Sequence, residues 1–158
     1  MVGNNPIRIY LDNNIYDLIL AQSQAFVNSA SAKAKFLSCH ITEDELMAMP
    51  SEKAEKQRAL LAVLKQLTED VPSIPAVWDY GRFDRTLFGD EVSNAIYDSL
   101  KEKHDPPDAI HVATADHFDC VYFVTEDREL RLDIERLQLG MKALSFKEMQ
   151  SLLHREPL

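Results

Sequence analysis

Two neighbouring segments constrain the fold more than anything else in the chain. The first is Asp105-Pro106-Pro107-Asp108, which opens the run Ala109-Ile110-His111-Val112-Ala113-Thr114-Ala115-Asp116. Two prolines suit the first positions of a helix, where a missing N–H costs nothing. Asp108 then falls in the first turn, at the positive end of the helix dipole. The second segment, Val121-Tyr122-Phe123-Val124, is a short apolar β run that ends in Thr125-Glu126-Asp127. A helix start and a strand end, each carrying a carboxylate, point to a crevice at the carboxyl edge of a parallel sheet.

The rest of the chain fits such a sheet. Ile7-Arg8-Ile9-Tyr10-Leu11 alternates as a strand that Asp12 ends, and Asn13 and Asn14 can cap the helix after it. Apolar positions at helical spacing predict one helix from residue 15 to about 28, with a break at Ser29-Ala30-Ser31. Phe36-Leu37-Ser38-Cys39 reads as the second strand. Thr42 and Glu45 have capping-box spacing for a short helix that Pro50 ends, and Ser51 is placed to cap a helix striped by Leu60, Leu61, Leu64 and Leu67. Residues 72–78 read as a third strand and 79–90 as irregular. Helices are expected over 91–103 and 126–137, and a last strand over 141–144. Ser145 is expected to cap a final helix to about Leu153. Strands alternating with helices imply a parallel sheet covered on both faces, an α/β/α sandwich made by residues 1–158 as a single domain.

Composition narrows the function classes. The formal net charge of −9 argues against holding nucleic acid on a broad basic surface. It leaves open an enzyme that handles a short stretch of nucleic acid at a metal-filled pocket. Cys39 and Cys120 adjoin apolar runs without CxxC or Cys/His spacing, so they read as buried reduced thiols. No apolar run is long enough to span a bilayer, and the opening Met1-Val2-Gly3-Asn4-Asn5-Pro6 lacks a signal-peptide pattern; the expectation is a cytoplasmic protein without membrane contact.

Four acids occupy comparable places: Asp12 ends the first strand, Glu45 comes after the second, Asp108 starts the helix before the fourth, and Asp127 comes after that strand. Each also has a local role as a cap or first-turn acid. Converging in one crevice, four ionised carboxylates persist only by taking up protons or by binding a multivalent cation. An oxygen donor set without thiolate or paired histidine favours Mg²⁺ or Mn²⁺ over zinc. One or two such ions activate water and neutralise charge on a phosphodiester.

These residues resemble the PIN-domain ribonucleases, which include the VapC-type toxins of bacterial toxin–antitoxin pairs. The resemblance rests on Ile9-Tyr10-Leu11-Asp12-Asn13-Asn14, on Leu37-Ser38 through Thr42 to Glu45-Leu46, on Asp108 through Ala115, and on Val124-Thr125-Glu126-Asp127-Arg128-Glu129-Leu130. It spans about residues 7 to 147. It implies strand order 3-2-1-4-5 and metal-dependent endonucleolytic cleavage of RNA, leaving a 5′-phosphate and a 3′-hydroxyl. Asp12, Glu45, Asp108 and Asp127 match the family's catalytic and metal-binding acids, and Asn14 and Thr125 match positions that support them. Asn13 stands where Thr or Ser is commoner, and Leu130 where Phe is common; neither change removes a ligand. A toxin of this kind would bind a small antitoxin that places a basic side chain among the acids.

His111, one turn after Asp108, can face the same pocket or orient a ligand. Asp105 and Asp116 are weaker candidates. Arg82, Arg85, Arg128 and Lys35 are candidate phosphate contacts, and apolar helix faces would suit a homodimer. A rival reading is a non-catalytic interaction module on the same scaffold, binding a metal or a partner's basic segment. A phosphoacceptor receiver domain also sets acids at strand ends, but Asp12-Asn13-Asn14 lacks the acidic pair it needs; only Lys142 or Lys147 speaks for it.

Overall fold

The computed structural model describes residues 6–155. The opening stretch, which carries no signal-peptide pattern, lies up to Asn5 outside them. Five strands form one sheet: β1 (Ile7–Leu11), β2 (Ala34–Ser38), β3 (Thr68–Asp70), β4 (Tyr122–Val124) and β5 (Lys142–Leu144). Their order is β3-β2-β1-β4-β5 and every pairing is parallel, as expected.

Side-chain alternation along the strands assigns the two faces. Ile9, Leu11, Phe36 and Val124 point to one side, where they pack with α1 (Ile15–Leu20), α2 (Gln24–Lys33), α4 (Ala54–Leu67) and α8 (Phe146–Arg155). Tyr10, Leu37 and Phe123 point to the other, against α5 (Glu91–Leu100), α6 (Pro106–His117) and α7 (Arg128–Arg136). The short α3 (His40–Met47) comes directly after β2. Among the described residues, no helix is long and apolar enough to cross a membrane.

Several local boundaries differ from the sequence reading. The single helix expected over 15–28 is two, because Ser23 caps α2 by accepting from the Phe26 N–H at 3.3 Å. The expected break at Ser29-Ala30-Ser31 lies inside α2, where Ala30 is buried. Thr42 is not a cap. It is an interior residue of α3, which begins at His40, so the capping box with Glu45 does not form. Ser51 opens a 3-10 turn (Ser51–Lys53), and α4 begins only after it.

The third strand is displaced as well. It comes after α4, at Thr68, and residues 72–78 form a loop. Pro72 and Pro75 carry no N–H for a sheet ladder. Thr68 does fit: its hydroxyl donates to the Leu64 carbonyl at 2.6 Å and meets Ser38 Oγ at 3.0 Å. The loop is tied down instead by buried His40, whose Nδ1 meets Asp44 at 3.1 Å and whose Nε2 meets Ser73 Oγ at 3.0 Å and Thr86 Oγ1 at 3.3 Å. At the far end Ser145 and Glu148 bond each other's backbone N–H reciprocally, a capping box that starts α8.

Phe123 stacks on Tyr10, ring centroids 5.5 Å apart and planes 4° from parallel, with no exposure. Phe123→Ala leaves a cavity at the centre of the sheet and is expected to cost about 3–5 kcal/mol. Urea denaturation checks this; a loss under about 1 kcal/mol would contradict so tight a packing.

Candidate metal centre

The parallel register sets the centre. Leu11 pairs with Val124, so the next residues, Asp12 and Thr125, emerge side by side at the carboxyl edge. The Asp12 N–H continues the ladder to the Val124 carbonyl at 3.0 Å. Asp12 is 2% exposed. Its Oδ1 accepts from the Asn13 N–H at 2.8 Å and its Oδ2 from Thr125 Oγ1 at 2.7 Å. Asn14 Nδ2 lies 3.5 Å from both Asp12 Oδ2 and Thr125 Oγ1, and its Oδ1 accepts from the Glu126 N–H at 3.4 Å. Thr125 Oγ1 also accepts from the Asp127 N–H at 3.1 Å. Asn14 and Thr125 thus lock Asp12 and the turn that carries Asp127 into one network.

Glu45 is held from the second strand's side. Asn13 Nδ2 donates to its Oε2, and its Oε1 lies 3.2 Å from His111 Nε2. Fully buried His111 meets Tyr10 Oη through Nδ1 at 2.6 Å, and Tyr10 Oη donates to Cys39 Sγ at 3.2 Å. Burial pushes the His111 pKa down, but the Cys39 sulfur, Glu45 and Asp12 outweigh it and hold the ring well above the usual histidine value. A carboxylate only accepts, so Nε2 donates to Glu45, while Nδ1 shares a hydrogen bond with Tyr10 Oη. His111 is therefore both a core residue and the side chain that orients Glu45.

Asp108 and Asp127 sit at the N-terminal ends of α6 and α7, and Asp127 caps α7 by accepting from the Leu130 N–H at 3.1 Å. One oxygen from each, with a ring nitrogen of His104, all lie within 4.8 Å of one another. That is close to the span of one ion's coordination sphere, with ligands about 2.0–2.2 Å from the ion. Sequence reasoning missed His104. Its only local signal is a position four residues before Asp108, and the group that aims it comes from far along the chain: its Nε2 lies 2.7 Å from Asp133 Oδ2 on α7. Burial first, then the charges of Asp12, Glu45 and Asp105, push the Asp108 pKa up to about 6, against an opposing effect of His111. Asp12 and Glu45 thus act on Asp108 as nearby negative charges, while their own oxygens are engaged by Asn13, Asn14, Thr125 and His111. The donor set fits a divalent cation: several carboxylates, one imidazole, and mutual repulsion that a cation would relieve.

Of the remaining candidates, three cations are already paired. Arg82 is paired with Asp44, and Arg85 with Glu43 and Asp70 at 3.0 Å each. Lys35 is paired with Glu69 at 2.7 Å. Arg128 has no ion-pair partner among the described residues. Asp116, near the C-terminal end of α6, is held above the usual carboxylate range by burial and by Asp119 and Asp90, not by the four acids.

The raised pKa of Asp108 gives a signed prediction. Between its ordinary 3.8 and about 6, the folded protein binds a proton that the unfolded chain has released. Stability without metal therefore falls as the pH rises through that window, and the loss is complete above it. In a chelating buffer at pH 7.5, Asp108→Asn is expected to be more stable than wild type by about 1 kcal/mol, after discounting for screening at a half-buried carboxyl. That is about 2–4 °C in Tm. The difference should vanish near pH 4; a destabilised variant at pH 7.5 would refute the assignment.

No protein-family model matches the chain, and no curated protein matches it. Among solved structures it is similar to the crystal structure of PAE2754 from Pyrobaculum aerophilum, at 15% identity and a TM-score of 0.61, covering 96% of this chain and all of that one. At that identity the likeness is one of fold, and it extends over nearly the whole chain.

Proposed function

We propose that this chain is a metal-dependent endoribonuclease of the PIN-domain kind, using Mg²⁺ or Mn²⁺. The observation that carries the reading is the gathering of Asp108 and Asp127 at two helix starts, beside the fixed carboxylates of Asp12 and Glu45. A bound divalent ion supplies charge neutralisation at the scissile phosphate and an acidified water. The protein's part is to hold its ligands still. Asn14 and Thr125 fix Asp12, while His111 and Asn13 fix Glu45, so the carboxylates need not reorganise when the phosphodiester arrives. A toxin role would require that a small antitoxin insert a basic side chain among these acids.

A second reading, an interaction module without cleavage, draws on the loop over residues 71–90. Trp78, Phe83 and Phe88 are almost wholly exposed there, and Arg82 and Arg85 face acids of the protein itself. Exposed aromatic patches of this kind mark contact surfaces.

Cleavage of a mixed structured-RNA pool separates the two. Wild type is expected to cut with Mn²⁺ or Mg²⁺ and not with EDTA. Asp108→Asn should retain its fold and lose about 100-fold or more of the rate, the scale of removing one charge-stabilising group. Undiminished cutting by the variant would sink the site. If no metal supports cutting, while Asp108→Asn weakens metal binding, the interaction module is the better account.

A further inference from the structure

His104 lies in the turn between α5 and α6, and its side chain is 6% exposed. Its Nε2 is 2.7 Å from Asp133 Oδ2, while Arg136 Nη1 donates to Asp133 Oδ1 at 2.6 Å. An aspartate held between an imidazole and a guanidinium is an acceptor only, so Nε2 carries the hydrogen. That fixes the ring's orientation and leaves Nδ1 as the nitrogen with no hydrogen-bond partner among the described residues. One of its ring nitrogens meanwhile lies within 4.8 Å of an oxygen of Asp108 and of an oxygen of Asp127. A histidine that donates one N–H to a carboxylate, keeps its other nitrogen unpartnered among the described residues and stands beside two further carboxylates has the arrangement of a metal ligand with its supporting acid. An ion pair needed only to tie this turn to α7 would be satisfied by Nε2 alone.

Resting on the proposed metal-dependent function, we propose that His104 is a direct nitrogen ligand to the ion shared by Asp108 and Asp127, and that it makes the centre select Mn²⁺ over Mg²⁺. Mg²⁺ is a hard ion that dehydrates reluctantly and prefers oxygen, whereas a transition-metal ion accepts imidazole readily. A carboxylate-only centre would discriminate less between the two. Asp133 and Arg136 act at one remove, as positioning residues that hold the ring.

The test is pulsed electron paramagnetic resonance of the Mn²⁺-loaded full chain, with calorimetric titration of Mn²⁺ and of Mg²⁺, on wild type, His104→Gln and Asp133→Asn. Wild type is expected to show nitrogen modulation on the manganese signal, and His104→Gln to lose it. Mn²⁺ affinity should fall about 10-fold or more in His104→Gln and about 10–100-fold in Asp133→Asn. Mg²⁺ affinity should change less, so that the Mn²⁺ preference narrows. Bound Mn²⁺ with oxygen-only coupling in wild type would overturn the role of His104 and leave the metal-dependent function standing. Unchanged nitrogen coupling in His104→Gln would do the same. No Mn²⁺ binding by wild type would overturn both. The wild-type spectrum and metal preference need no variant, so a substitution that prevents folding does not remove the test.

Discussion

Everything at this centre depends on the strands being parallel. A parallel strand pair needs a crossover, and each crossover brings the chain back so that the next strand leaves the sheet at the same edge. The helices that come after strands therefore start at that edge, and so does α6, which runs back toward the start of β4. Their N-terminal turns carry the positive ends of the peptide dipoles. A protein assembled this way has one rim where acids are locally welcome at several separate points. Asp108 and Asp127 each occupy such a point, and Asp12 sits where a strand gives way to a helix.

Local welcome does not add up to collective comfort. A helix N-terminus favours a carboxylate by about 0.3–1 kcal/mol, less than one unit of pKa. The Asp108 carboxyl is nevertheless pushed up, from 3.8 to about 6. Burial and the charges of Asp12, Glu45 and Asp105 thus outweigh the dipole. The structure contains the repulsion by giving the other acids donors: the Asn13 N–H and Thr125 hydroxyl for Asp12, Asn13 Nδ2 and His111 for Glu45, and the Leu130 N–H for Asp127. Asp108 has burial and repulsion in excess of donors, which is where a cation would gain most.

The sheet, its flanking layers and the placing of Asp12, Asp108 and Asp127 at its carboxyl edge are legible in the sequence because they are written in short-range signals. Period-two alternation marks Ile9-Tyr10-Leu11, Pro106-Pro107 marks a helix start, and an acid after each apolar run marks an edge. Boundaries set by competition between equally plausible caps are not legible. Thr42 loses to an earlier start at His40 because that ring finds Asp44, Ser73 and Thr86, two of them on a distant loop. The prolines of 72–78 sit in an apolar stretch that looks like a strand, but they cannot donate to a ladder, and the bond between Thr68 and Ser38 helps hold the third strand earlier in the chain. His104 is illegible for the same reason: its meaning depends on Asp133, twenty-nine residues on.

The surface charge bears on how a polyanion could be held here at all. Arg82 and Arg85, two cations of the loop that face α3, are occupied by Asp44, Glu43 and Asp70. Freeing either would leave carboxylates without their partners, so neither is a ready phosphate contact. A net charge of −9 adds long-range repulsion that salt screens only beyond about 8–10 Å. For the proposed nuclease, affinity for RNA must then come from short-range terms: the cation among the acids, Arg128, and stacking of unpaired bases on exposed rings such as Trp78, Phe83 and Phe88. Stacking and metal contact both favour splayed single-stranded segments over duplex, whose bases are already stacked. The same acidic surface that weakens general RNA binding would thereby narrow the proposed substrate to accessible loops and ends.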